Sequence, residues 1–600
     1  MHPSEEYRAR QTKWTEQQQS VQRLFISIGN WRLFLAVAII VLIWMAYKKP
    51  PAFVPIAVSY WSLSAPIALF IALVVYHQRV IRRRTFAERA IRYYQQGVNR
   101  INDAWSGTGS QGENFRDPNH IYADDLDIFG RGSLFELLSN ARTAAGEKTL
   151  ANWLLAPASR RDATERQNAV EELAPKLDLR EEIALLGEDI KSSINAETLA
   201  AWGSAPPVTF PPALRVGSLC LALTGLAGLV LKLAELWPLW PLLVILGINA
   251  SLMFLFRKQT EQVQASIESA AHQLSLLSLL VGRLECEQFS CVGLSRLRTA
   301  LTTDGMPASK CIRHLDRWLE LLDSSDHIIL RVLGPLLLYK QQIVMAIEAW
   351  RARNGTAIGN WIHALAEFEA LSSLSALHYE RPSWAFPSLK TTGATYFSAT
   401  DLGHPLIPTA VSIRNSLDLN DACRLLIVSG SNMSGKSTLL RAVGLNTVLA
   451  WAGAPVCAAA LALSPLQVGA SLRLSDSLQD NRSRFFAEIS RIRQIVDLTQ
   501  SPTPVLFLLD ELLSGTNSHD RLIGATGIIR GLLSANTIGL LTTHDLALAQ
   551  LDQETAFSAR NVHLEDRIVD GKIEFDYHLR PGVVTHSNAL ELMRSIGLDI

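Results

Sequence analysis

The sequence predicts an all-α body that carries two transmembrane helical hairpins and leads into a C-terminal α/β domain built on a phosphate-binding loop. Three observations predict it. Four strongly apolar stretches fall in two closely spaced pairs, helix-period segments fill the intervals, and after residue 395 short β-rich runs alternate with helices around the loop SGSNMSGKST at 429–438.

The first pair is Leu33 to Tyr47 and Ala52 to Tyr76, joined by Lys48-Lys49-Pro50-Pro51. About 20 apolar residues cross a hydrocarbon layer of about 30 Å, so the second run is long enough and the first reaches that length if its helix starts near Phe25. Trp31, Trp44, Tyr47 and Tyr60 suit interfacial positions. The second pair is Val216 to Leu233 and Leu239 to Phe256, linked through Trp237-Pro238-Leu239-Trp240-Pro241. Neither pair has an acid within its apolar core, so these read as anchors and not as an ion path. Arg79, Arg82, Arg83 and Arg84 follow the second run, and Arg257-Lys258 follow the fourth. The positive-inside rule then places both termini and the large soluble parts in the cytoplasm, as a multi-pass protein of the inner membrane if the cell is bacterial.

The expected organisation is an N-terminal cytoplasmic helix at 1–30, the first hairpin at 31–78, the first part of a helical core at 79–212 and the second hairpin at 213–257. The remaining core helices follow at 258–395, and the α/β domain occupies 396–600. SIESAAHQLSLLSLLVGRLECE and LRVLGPLLLYKQQIVMAIEAW repeat apolar residues at three and four, the helix period. No internal repeat is evident beyond the hairpins. With 56 basic and 56 acidic residues, no global field points to nucleic acid. VIRRRTFAERAIR beside a span reads as a topology anchor or a contact for anionic lipid. Asp124, Asp125 and Asp127 read as a solvated loop. Six scattered cysteines lack metal-site or disulfide spacing and read as reduced thiols.

Gly430, Gly435, Lys436 and Ser437 satisfy GxxxxGK[ST] between an apolar run and a helix. Backbone N–H groups of residues 430 to 438 (Gly430, Ser431, Asn432, Met433, Ser434, Gly435, Lys436, Ser437, Thr438) would cradle phosphate, with Lys436 on the outer phosphates and Ser437 on Mg²⁺. PVLFLLDE, ending at Glu511, supplies the second strand: Asp510 for the Mg²⁺ shell and Glu511 to orient or deprotonate water. A third run, Ile538 to Thr543, ends at His544, placed to sense the terminal phosphate.

Together GSNMSGKSTLLR, RLSDSLQDNRSRFFAEISRI, LLDELLSGTNSHDR and LLTTHD resemble, in order and spacing, the ATPase domain of the MutS family of DNA mismatch-repair proteins, relatives of ABC-type ATPases. Asn432-Met433 is particular to that family. The resemblance covers 400 to 598 and implies ATP with Mg²⁺. It also implies a homodimer in which Ser483 and the helix after it are presented to the partner's nucleotide, with Gly515-Thr516-Asn517 at the dimer junction. Upstream, Leu126 to Pro157, Arg166 to Val170 and LGHPLIP (Leu402 to Pro408) resemble the family's core or lever domain and its junction with the ATPase. The tail FDYHLRPGVVTHSNALELMRSIGL, with Pro581-Gly582 and Ser587, matches the C-terminal ATPase segment.

Departures qualify the expectation. The mismatch-probing front of the family has no counterpart, since a hairpin fills the first 100 residues; a second hairpin stands where a clamp insertion would lie, and the chain ends at Ile600 without the family's further dimerisation tail. Ser412 stands where the family stacks an aromatic on adenine. The expected function is a membrane-anchored, MutS-like ATPase acting on DNA, branched or damaged rather than mismatched, with lipid as a second partner and a MutL-like partner left open. Two alternatives remain: an ABC-superfamily-like ATPase acting on a membrane substrate, and a slow ATP-switch scaffold without DNA.

Overall fold

The computed structural model describes residues 2–48, 63–188, 195–325, 327–390, 393–431, 433–473, 484–514, 516–553, 558–569 and 572–583. It forms two compact units, Met1–Thr108 and Gly109–Ile600.

The first unit is a pair of long helices, α1 (Pro3–Lys48) and α2 (Ser64–Ile101). Aromatic pairs fix their antiparallel register: Tyr7 meets Tyr94 at 5.5 Å, Trp14 meets Phe86 at 5.8 Å and Phe25 stacks on His77 at 4.8 Å between ring centroids. Such pairs contribute beyond the area they bury. Around Leu33, Phe34, Val37, Ile40 and Trp44 on α1, and Leu69, Ile71 and Val75 on α2, the apolar side chains are exposed. Both helices are long and apolar enough to cross a membrane by length and composition. The expected link through Pro50-Pro51, the start of the second run and Tyr60 lie outside the described residues. Because α2 continues to Ile101, residues 79–101 fold with this unit.

In the second unit, α3 (Ala144–Leu155) is capped by Thr143, whose hydroxyl accepts from Gly146 N at 3.0 Å. The second apolar pair forms α4 (Pro212–Leu233) and α5 (Trp240–Leu255); α6 (Arg257–Glu285) leaves α5 at a bend of 59°. After α7 (Ala308–Ser324) come α8 (Ile328–Leu337) and the 42-residue α9 (Tyr339–Glu380). The stretch read as one helix from LRVLGPLLL into YKQQIVM is therefore two. Pro335 cannot continue the backbone ladder, and Leu338 at φ 49° turns the chain out of the helix.

The long α9 organises this body. Its fully buried Glu369 accepts from Arg142 N at 3.1 Å and from the Thr143 hydroxyl, tying α9 to the start of α3. Burial pushes this carboxyl above the usual range even though the donors favour its charged form. Further along, Gly355 packs on Gly203 of the helix Ala196–Ser204: a Cβ at 355 would lie 2.1 Å from the Gly203 carbonyl oxygen.

The C-terminal part is an α/β domain, as expected. Its main sheet contains β1 (Leu425–Ser429), β2 (Gln467–Ser471), β3 (Val505–Leu509), β4 (Thr537–Thr543), β5 (Ala559–Val569) and β6 (Lys572–Pro581), in the order β6-β5-β1-β4-β3-β2. The pairings from β5 through β2 are parallel, and β6 folds back antiparallel on β5. LLIVS, VLFLL and TIGLLTT are buried throughout, as strands covered on both faces must be. On one face Leu425, Ile427, Phe507, Leu509 and Leu541 pack with Ile492 and Ile495 of α11 (Arg484–Leu498) and Ile529 of α12 (Ser518–Ser534). Against the opposite face lies α10 (Lys436–Ala452), where Gly444 meets Leu126 and Leu508. A second, mixed sheet was not legible in advance: the strands 388–389, 460–463, 397–402 and 415–419 pair in that order and wall the site described next.

Candidate nucleotide site

The loop between β1 and α10 turns where the sequence supplies glycine. Gly435 has φ 96°, and a Cβ at Gly430 would come within 2.7 Å of Ser434 Oγ and 2.9 Å of the Leu564 carbonyl oxygen. Met433 also sits at positive φ, 71°, with its side chain exposed. Asn432 lies outside the described residues. Ser431 Oγ and Ser434 Oγ are buried without a hydrogen-bond partner among the described residues, donors that a phosphate would satisfy. Thr438 lines the pocket beside the loop.

Lys436 begins α10 and is nearly buried. Its ammonium donates to the carbonyls of Gly430 at 2.9 Å and Ser431 at 2.8 Å. Burial lowers its pKa, opposed by the nearby Glu511, Asp510 and Asp566 carboxylates. One residue on, the Ser437 hydroxyl donates to Asp510 Oδ2 at 2.5 Å, so the two expected Mg²⁺ ligands already face each other. A hydroxyl and a carboxylate at this spacing suit an oxygen-preferring cation that keeps most of its waters. Among the described residues no cluster of three His, Cys, Asp or Glu offers a different metal site.

Asp510 and Glu511 sit where β3 ends. Asp510 N donates to Ser471 O at 3.0 Å, the Thr542 hydroxyl donates to Asp510 Oδ1, and Glu511 N donates to Thr542 Oγ1 at 2.9 Å. Three neighbouring strands thus hold the acid pair. Glu511 itself has φ 51° and Leu513 φ 57°, costly for non-glycine residues, and the turn is held by Glu488 of α11, which accepts from Leu513 N at 2.6 Å. His544, one residue past β4, bridges the parts. Its Nε2 lies 2.6 Å from Glu511 Oε1 and its Nδ1 3.0 Å from Gly430 O. The segments of Asp510 and His544, far apart in sequence, thus meet at the loop.

Beside the loop opens a pocket of about 380 Å³, lined by His404, Ser412, Asn415, Thr438 and Tyr577 among others. Ser412 leaves its own side without an aromatic, as read from the sequence. Tyr577 of β6 supplies one from another wall, its ring close enough to Gly435 that a Cβ there would meet Cδ1 at 2.9 Å. Asn415 fixes the strand beneath it, donating to Tyr577 O at 3.0 Å and accepting from Leu579 N at 2.7 Å. The matched tail FDYHLRPG spans Tyr577 but gave it no role; its place depends on the β5–β6 hairpin. His404 is pushed down to about 4, by burial first and by Arg441 second, and its Nδ1 accepts from Leu406 N at 3.2 Å.

Ser483, Gly515 and Ser587 lie outside the described residues. The aspartates do lie on a loop, but Asp125 is not solvated. Asp125 is buried and its Oδ1 accepts from Leu472 N at 2.8 Å and Arg473 N at 2.7 Å, while Asp127 Oδ1 pairs with Arg473 at 2.5 Å. Arg441 of α10 donates to Asp125 O at 3.0 Å, and Arg491 of α11 donates to His120 O at 2.8 Å. The segment 116–128 therefore joins the helical body to the loop helix, the end of β2 and α11.

This fold and site define a P-loop nucleotide-binding domain joined to a helical body. The sequence pattern of MutS domain III matches residues 120–375, and that of MutS domain V matches 426–599. With two of its domains in order over most of its length, the chain belongs to the MutS family. It is also similar to the protein named endonuclease MutS2 of Thermus thermophilus, with 35% identity over 203 residues. That match covers 32% of this chain and only 25% of the relative.

Proposed function

We propose that the protein is a membrane-anchored ATPase that hydrolyses ATP as a homodimer and couples the cycle to DNA through the helical body. The convergence of Lys436, Ser437, Asp510, Glu511 and His544 carries the catalytic part of this reading. Membership of the MutS family supports DNA as the ligand, and the exposed apolar helices support the anchor.

Lys436 leaves the Gly430 and Ser431 carbonyls and donates to the outer phosphate oxygens, which are stronger acceptors. Ser437 and Asp510 would hold Mg²⁺, which would supply positive charge to the phosphates. Glu511 accepts the proton of the attacking water. His544 orients Glu511 and, through its contact with the loop, registers whether the site is filled. Ser483 of one protomer completes the partner's site.

The test is steady-state hydrolysis by the full chain in liposomes, with homoduplex, mismatched and four-way-branched DNA. Lys436→Ala is expected to abolish turnover. Glu511→Gln should lower kcat by about 10²- to 10⁴-fold while retaining ATP. Unchanged turnover in both variants sinks the assigned site. Stimulation by one DNA form that survives moderate salt establishes the ligand; indifference to all three overturns the DNA part and leaves the ATPase standing. Both termini are expected in the cytoplasm, which labelling of a terminal tag from outside intact cells would contradict.

A further inference from the structure

The break between α8 and α9 sits against the apolar pair α4–α5. Leu338 at φ 49° ends the ladder, and the carbonyls of Pro335, Leu336 and Leu337 are taken by side chains instead. Asn249 Nδ2 donates to Pro335 O at 3.2 Å and to Leu336 O at 2.8 Å, and Gln342 Nε2 donates to Leu337 O at 2.8 Å. Asn249 is wholly buried in a helix otherwise made almost entirely of apolar residues. On the other side, α4 presents Gly225, where a Cβ would lie 2.9 Å from Leu336 Cδ1. In water, freed carbonyls at a helix end are hydrated and need no such partners. In hydrocarbon each unpaired carbonyl costs several kcal/mol, and a helix can break there only where protein groups take its backbone.

The level of the break agrees. Asn249 stands about 9 Å along α5 from Leu255, the last residue before the bend to Arg257, and Gly225 about 15 Å along α4 from Arg215, at 1.5 Å per residue. They place Leu336 about 9–15 Å into a layer about 30 Å thick, and Gln342 Nε2, which also donates to Ser218 O at 3.4 Å, lies nearer the Arg215 end of α4. The ten residues of α8 span about 15 Å, half that layer. Arg331 is exposed one turn into α8, within reach of headgroups for a side chain of its length.

We propose that α8 is a re-entrant half-helix, embedded beside α4 and α5 in the lipid bilayer, with its C-terminal end held within the hydrocarbon by Asn249. The embedded body then comprises α4, α5, α8 and the first turns of α9, which returns from the same depth. This rests on the membrane reading of α4 and α5 given above.

The experiment is depth measurement by fluorescence quenching in liposomes, using the full chain with its six native cysteines replaced and one cysteine introduced for an environment-sensitive label. Gly334→Cys reports on α8, where an added Cβ meets nothing nearer than Tyr339 Cβ at 4.0 Å. Leu246→Cys reports on α5, and Glu320→Cys on the soluble α7. Lipids with a quencher at mid-chain should quench positions 334 and 246 comparably and leave 320 bright. Quenching at 246 without quenching at 334 overturns the half-helix and leaves the hairpin intact; no quenching at 246 overturns the membrane reading itself. Asn249→Leu should move the label at 334 toward the headgroups without moving the one at 246. Unchanged depth at 334 in that variant overturns the role given to Asn249.

Discussion

At the scale of single residues, Tyr577 offers the proposed nucleotide pocket an aromatic face, and His404 lines the same pocket. Stacking on an aromatic face contributes about 1–3 kcal/mol by alanine substitution. Tyr577→Ala should therefore raise KM for ATP by roughly tenfold or more with kcat little changed, and Tyr577→Phe should restore it, as read from initial rates. The residues proposed for catalysis were legible because each follows a strand that a short apolar run announces. Tyr577 was not, because it faces the loop only after the β5–β6 hairpin has folded back and Asn415 has pinned it from far upstream. His404 makes a pH prediction. Its folded value of about 4 lies below the unfolded value near 6.5, so its neutral form stabilises the fold above pH 6.5, and that contribution is lost as pH falls from there toward 4. Thermal melting should show the loss, and His404→Gln should reduce that slope. An unchanged slope would assign the acid sensitivity to other groups.

At the scale of elements, two contacts argue differently. Gly355 and Gly203 let α9 and the helix Ala196–Ser204 approach backbone to backbone, so Gly355→Ala must push them apart. The expected cost is about 1–3 kcal/mol, read as a lower melting temperature. The pair Asp127 and Arg473 is half-exposed, and such pairs contribute at most about 1 kcal/mol to stability. Its value is positional, since Arg473 lies two residues past β2, its own N–H is held by the buried Asp125, and the sequence leads on from it to Ser483. Arg473→Ala should therefore leave melting and ATP binding nearly unchanged and lower turnover, and the exchanged pair Asp127→Arg with Arg473→Asp should recover part of it. Equal loss of ATP binding would make the pair merely structural. Helix-period patterning announced α9 but not its start, because the apolar spacing of LRVLGPLLLYKQQ continues across a break that Pro335 and Leu338 impose on the backbone. The three aspartates read as a loop from composition alone; the burial of Asp125 and the pairing of Asp127 depend on the chain after β2, which no local pattern connects to them.

At the scale of the whole molecule, the proposed anchor and the proposed dimer act on each other. A site that needs Ser483 from a second protomer works only when two chains meet, and confinement to a membrane raises their effective concentration without any new contact. Balanced charge gives no long-range attraction between copies, so encounter depends on density in the bilayer. Turnover per protomer should then fall as the protein is diluted into increasing lipid at fixed protein and ATP, approaching zero when copies are isolated. A chain bearing Lys436→Ala still offers its Ser483, so adding it in excess to lipid-diluted wild-type protein should raise the turnover of the wild-type sites, whereas Ser483→Ala combined with Lys436→Ala should not. Turnover per protomer that is independent of lipid dilution would mean that each chain completes its own site, and the dimer would then have no catalytic role.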